Sequence, residues 1–147
     1  MKTKNKTLQY QTKEEFDFID ITQEVKDFIN QSDIKNGLVN VQTMHTTAAV
    51  IVNENEPLLL EDIKKNLEKL SSKDISYEHD DFTKRTVNVC PGECANGRSH
   101  CRAIYLPTSV TLNLIDGQIQ FGLWQRIMLL ELDCARERKV QINVIGE

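Results

Sequence analysis

Imidazole loses its proton near neutral pH and is the commonest side-chain metal ligand, and this chain has only three: His45, His79 and His100. All three sit in polar segments. His45 opens His45-Thr46-Thr47, His79 lies within Tyr77-Glu78-His79-Asp80-Asp81, and His100 ends Asn96-Gly97-Arg98-Ser99-His100. Three neutral imidazoles on separate segments can close around one divalent cation, zinc by donor type, and leave a fourth position open to water or substrate. Asp80, Asp81, Glu93 or Cys94 could complete such a shell or fix a ring tautomer. A single histidine is more often a solvated or packed residue, so the case rests on the setting the three share.

Other side chains could hold a substrate. Arg98 and Arg102 flank His100, and Arg136 and Arg138 follow Asp133, so guanidinium groups are available for phosphate or carboxylate, although surface ion pairs are their commoner use. Trp124, the only tryptophan, stands in Gly122-Leu123-Trp124-Gln125, where its ring could floor a pocket or join the core. No glycine-rich phosphate loop is present. Cys90, Cys94, Cys101 and Cys134 lack the doubled C-x-x-C spacing of a zinc ribbon and read as thiols or as ligands.

These residues need a scaffold, and the hydrophobic pattern supplies one. Lys6 to Lys13 and Phe16 to Ile21 read as strands, and Thr22 as the N-cap of a helix with Val25, Phe28 and Ile29 on its apolar stripe. Leu38–Met44 and Ala48–Val52 read as β on either side of His45-Thr46-Thr47. Asn55 can cap a helix that begins at Pro57 and buries Leu60, Ile63, Leu67 and Leu70. Ser71 to Arg98 reads as a long site loop. Val110–Ile115, Asp116-Gly117 and Gln118–Phe121 make a hairpin with a two-residue turn, and Ile127–Leu132 and Val140–Ile145 complete the sheet. The expected fold is α+β: a largely antiparallel β-sandwich or barrel-like sheet with two or three helices, one domain over 1–147.

At 147 residues, 39% hydrophobic and 27% charged, the chain can bury a real core. A formal charge of -4 with scattered lysines argues against nucleic acid as a partner. No apolar run approaches a membrane span, and the basic start is not followed by the apolar core of a signal peptide, so a cytoplasmic protein with reduced thiols is expected.

Taken in order, His45-Thr46-Thr47-Ala48-Ala49-Val50, Asn53-Glu54-Asn55, Tyr77-x-His79, Asn96-Gly97 through Ser99-His100 and Gly122-x-Trp124-Gln125 resemble the YjbQ family over nearly the whole chain. The resemblance implies a homotrimer with polar pockets near subunit contacts, and its recurrent histidines match His45, His79 and His100. Many relatives have histidine where this chain has Arg98, threonine at Leu123 and Gly-Pro at Cys134-Ala135. Family members are commonly labelled secondary thiamine-phosphate synthases, which join a pyrimidine diphosphate to a thiazole phosphate and release pyrophosphate. Magnesium would be the metal if diphosphate chemistry applied. The resulting expectation is a histidine-centred metal or phosphometabolite site. In it His45, His100 and Glu54 are catalytic, and His45, His79 and His100 hold a divalent metal. Thr46, Thr47, Asn53, Asn96, Arg98, Ser99, Trp124, Gln125 and Arg136 contact a phosphorylated small molecule. The alternative is a non-catalytic metal- or metabolite-binding trimer.

Overall fold

A computed structural model describes all 147 residues. Eight strands, three α-helices and one 3-10 turn follow in the order β1 (Lys2–Gln11), β2 (Phe18–Asp20), α1 (Thr22–Ser32), β3 (Gly37–Thr43), β4 (Ala48–Glu54), α2 (Pro57–Leu70), the 3-10 turn (Glu78–Asp80), α3 (Gly97–Ala103), β5 (Ser109–Ile115), β6 (Gln118–Ile119), β7 (Gln125–Glu131) and β8 (Glu137–Gly146). All strand pairs are antiparallel. They form a five-stranded sheet in the order β1-β8-β3-β5-β6 and a three-stranded sheet in the order β2-β7-β4. The fold is α+β, as the pattern implied. No helix is long and apolar enough to cross a membrane.

The two sheets share one core. Val39 and Val41 of β3, Leu114 of β5 and Val140, Ile142 and Val144 of β8 meet Ala48 and Val50 of β4, Ile127 and Leu129 of β7, and the stripe Val25, Phe28 and Ile29 of α1. Successive strand residues point to opposite faces, so Ala49 and Leu130 face the other way, where Leu67 and Ile63 of α2 and Ala103 of α3 cover them. Burial on both faces explains why β7 is almost continuously apolar where a one-sided strand would alternate.

Several boundaries differ from the sequence reading for identifiable reasons. Phe16 has a positive φ of 63°, which confines β2 to Phe18–Asp20. Thr22 does not cap α1, because its hydroxyl accepts from the Ile127 N–H at 2.9 Å and ties the helix to β7. Glu56, not Asn55, caps α2, its carboxylate accepting from the N–H groups of Leu58 and Leu59 at 2.9 and 2.7 Å. Leu70 lies outside the core and is 45% exposed. The segment read as a loop from Ser71 to Arg98 holds the 3-10 turn and the first residues of α3. In the β5–β6 hairpin, Asp116 and Gly117 take φ of 50° and 75°, the paired left-handed residues of a type I′ turn.

A buried ion pair crosses between the sheets. Glu131 ends β7 and Arg138 lies in β8; they are 0% and 3% exposed. Arg138 donates through Nε to Glu131 Oε2 at 2.7 Å and through Nη2 to Oε1, and Nη2 also donates to Thr47 Oγ1 at 2.9 Å and to the Thr47 carbonyl at 3.2 Å. The Thr12 hydroxyl donates to Glu131 Oε2 and the Asp133 N–H to Oε1, at 2.8 and 2.9 Å. Removing one partner of such a pair leaves an uncompensated buried charge. Arg138→Met should therefore lower unfolding stability by about 3–5 kcal/mol in urea titrations, whereas Glu131→Met with Arg138→Met should recover most of that loss. A single variant as stable as the wild type would contradict this account.

Candidate functional site

The connection between β3 and β4 carries His45, and three contacts fix it. The Met44 N–H donates to the Lys139 carbonyl at 3.2 Å, the Lys139 N–H donates to His45 Nε2 at 2.7 Å, and Arg138 holds Thr47 from below. With its Nε2 lone pair committed, a neutral His45 carries its proton on Nδ1, a tautomer assigned from this hydrogen bond.

His79 and His100 are brought together by the polar segment between them. The Asp80 carboxylate accepts from the N–H groups of Asn96 and Gly97 at 2.9 and 2.8 Å, docking the 3-10 turn on the start of α3. Gly97 permits this approach: a Cβ there would stand 2.6 Å from Tyr77 Cβ. The two imidazole rings then meet edge to face with centroids 4.7 Å apart. Arg102 anchors α3 on α2. It is fully buried, pairs with Glu15 and Glu68, donates to the Leu67 and Ser71 carbonyls at the end of α2, and lies 4.7 Å from the Phe16 ring centre.

Between these pieces lies a cavity of about 550 Å³, with only two hydrophobic residues among the 16 lining it. All three histidines line it, together with Thr46, Thr47, Asn96 and Arg136 from the sequence-derived set. Arg85, Asn88, Glu93, Asp133 and Arg138 complete much of the wall. Arg85 forms a two-pronged pair with Glu93 at 2.9 and 3.3 Å and also donates to the Asn88 carbonyl, which shapes the loop before Cys94. Nothing in the local pattern separates Arg85 from other surface arginines. On the opposite wall, the closeness of Asp133, Arg136 and Arg138 in sequence is the signal that singled out the two arginines.

Other expected site residues stand elsewhere. Arg98 pairs with Glu15 and donates to the Ala95 carbonyl, and Ser99 is fully buried with its hydroxyl unpartnered. Asn53, Glu54, Trp124 and Gln125 line a second cleft of about 320 Å³. Strand β4 separates the two clefts: at roughly 3.3 Å per residue, its far end lies on the order of 20 Å from Thr47. Trp124 is 65% exposed and belongs to no core.

The cavity lowers the pKa values of two of its imidazoles and of Asp133. Burial, then the positive charges of Arg138 and Lys139 against the opposing Glu131, hold the His45 pKa below its ordinary value. Burial and the neighbouring His79 do the same for His100. For Asp133, burial alone would raise the pKa, but hydrogen bonds from the Asn96 amide and the Cys134 N–H, with the Arg136 cation, bring it below the usual carboxylate range. His79 Nε2 is buried and has no hydrogen-bond partner. The histidine nitrogens do not form a compact three-ligand cluster; the one such group of metal-binding atoms is Cys94, Asp133 and Cys134.

The profile of the family described as "UPF0047 protein YjbQ-like" matches residues 6–147. The chain belongs to this family. A UPF0047 protein of Methanothermobacter thermautotrophicus is 35% identical over 100% of this chain and 95% of its own length, and UPF0047 protein YugU of Bacillus subtilis is 30% identical over 96% and 98%. The crystal structure of a YbjQ-like protein of unknown function from Sulfolobus solfataricus superposes with a TM-score of 0.88 at 29% identity, covering 99% of both chains.

In this UPF0047 chain, Asp133 links pH to stability. Its folded pKa is lowered, so its contribution is fully present above the unfolded value of about 3.9 and is lost as pH falls through the folded value. Thermal midpoints measured between about pH 6 and pH 2.5 should therefore fall less steeply for Asp133→Asn than for the wild type below about pH 4. Parallel curves would contradict the assignment.

Proposed function

We propose that the histidine cavity is an enzyme-like site in which His79 and His100 hold a divalent metal, zinc by donor type, and the cavity takes a phosphorylated small molecule. One observation carries this reading: every histidine of the chain lines a single polar cavity, and within it His79 Nε2 is buried without a hydrogen-bond partner. The donor set fits a metal at two of the three imidazoles expected to bind one. A neutral His100 offers a lone pair and stands in ring contact with His79. His45 fits a different role, since Lys139 occupies its Nε2 and leaves Nδ1–H to donate to a bound oxygen. When bound, the metal would supply Lewis-acid polarisation of an oxygen in the cavity. On the opposite wall Arg136 and Arg138 present guanidinium N–H groups beside their carboxylate partners Asp133 and Glu131, and Thr46 and Asn96 offer neutral polar contacts.

The thiamine-phosphate synthase reading is less well supported. Arg85, Arg136 and Arg138 are already paired with Glu93, Asp133 and Glu131, so a diphosphate would meet few uncommitted cations and would depend on a metal such as magnesium for neutralisation. The homotrimer, in contrast, accounts for an observation. Asn53, Glu54, Trp124 and Gln125 cannot reach the histidines of their own chain, but a subunit contact can apply the exposed Leu123–Trp124 face of one copy to the cavity rim of another.

Calorimetric titration of metal-free protein with zinc tests the central part. The wild type should take up about one equivalent, while His100→Ala should lose at least tenfold in affinity with an unchanged thermal midpoint. Light scattering on the same samples should report a trimer. Zinc uptake unaffected by His100→Ala, or a monomer, would overturn the corresponding part.

A further inference from the structure

We propose that Cys94 and Cys134 form a reversible dithiol–disulfide pair across the rim of the histidine cavity. Their Sγ atoms lie 2.8 Å apart although the residues are 40 positions apart in sequence. Two thiolates on one tetrahedral zinc, with bonds of about 2.3 Å, stand roughly 3.8 Å apart, whereas a disulfide needs about 2.05 Å. The sulfurs are thus closer than a shared metal ion allows, and a shift of less than about 1 Å forms the bond. The carboxylate that would complete a metal site is also committed, since Asp133 accepts from Asn96, Arg136 and the Cys134 N–H.

The two thiols have different surroundings, and these assign the order of events. Cys94 is exposed, so a small disulfide reaches its sulfur first, and Arg136 Nη2 lies 3.5 Å from that sulfur. Cys134 is half-buried, and its thiol is pushed up to about 11 by burial, by its bond to Cys94 and by Asp133. With a low-molecular-weight disulfide as oxidant, the Cys94 thiolate attacks one sulfur, forms a mixed disulfide and releases one thiolate. Cys134 then gives up its proton and attacks the Cys94 sulfur, expelling the second thiolate. Two protein thiols are oxidised to one disulfide, and the small disulfide is reduced to two thiols. The new bond ties the segment between Glu93 and Asn96 to the turn bearing Asp133 and Arg136, so oxidation locks two adjoining stretches of the cavity lining that the Asn96–Asp133 hydrogen bond already joins. No ligand of the cavity takes part, so the proposal does not depend on what the cavity binds.

The test uses the full chain equilibrated in glutathione buffers of increasing oxidised fraction, quenched with an alkylating reagent and read by intact mass and peptide mapping. After the quench the wild type should carry two fewer alkyl groups than fully reduced protein and lack two further hydrogens, with Cys94 and Cys134 in one linked peptide pair that dithiothreitol separates. In Cys134→Ser the resolving thiol is missing, so Cys94 should accumulate as its glutathione adduct. Wild-type protein in which both cysteines stay alkylatable while Cys90 or Cys101 is glutathionylated would overturn the proposal. So would one equivalent of tightly held zinc that is lost in both Cys94→Ser and Cys134→Ser but kept in His100→Ala.

Discussion

The buried pair of Glu131 and Arg138 is the constraint on which the site depends. It joins the end of a strand in one sheet to a strand of the other, and it binds Thr12 beyond β1 and Thr47 before β4. A desolvated ion pair is a costly means of holding two sheets together compared with apolar packing. What it provides here is position. Arg138 fixes Thr47, its neighbour Lys139 fixes His45, and Glu131 orders the turn that presents Asp133. The three segments that meet at the cavity floor are thereby set by one charge pair and the groups that saturate it.

Around that floor, the cavity separates the histidines by environment. Lys139 occupies one nitrogen of His45, whereas His79 and His100 face each other across an approach that only glycine at position 97 allows. Burial, and after it nearby positive charge, lowers the pKa values of His45 and His100, and the guanidiniums involved, Arg138 and Arg85, are themselves balanced by Glu131 and Glu93. Three chemically similar side chains thus acquire different capacities from their neighbours alone.

Much of this was legible in the sequence. Period-two and helical spacing located β3, β4, β5, β7, β8, α1 and α2, because those signals come from burying one face of a regular element. The convergence of His45, Thr46, Thr47, His79, Asn96, His100 and Arg136 on one cavity could be expected from their polar settings and from resemblance, though the residues themselves carry no information about distance. Helix α3 was missed because it is short and polar and is held by the tertiary contacts of Asp80 and Arg102. The burial of Arg138 against Glu131 was missed for a related reason: charged residues are expected at the surface unless paired, and the pairing is visible only after the sheets meet. The separation of Asn53, Glu54, Trp124 and Gln125 from the histidines follows from the length of β4, which motif order does not encode.

The account rests on a division of roles among the histidines that Lys139 and Gly97 impose. Long-range nitrogen–proton correlation spectra of the imidazoles, recorded on metal-free protein and again after one equivalent of zinc, test it most directly. The account predicts that His45 holds its proton on Nδ1 throughout while the nitrogens of His79 and His100 shift together on adding zinc. A His45 ring protonated on Nε2 in the metal-free protein, or His79 and His100 signals that zinc leaves unmoved, would contradict it.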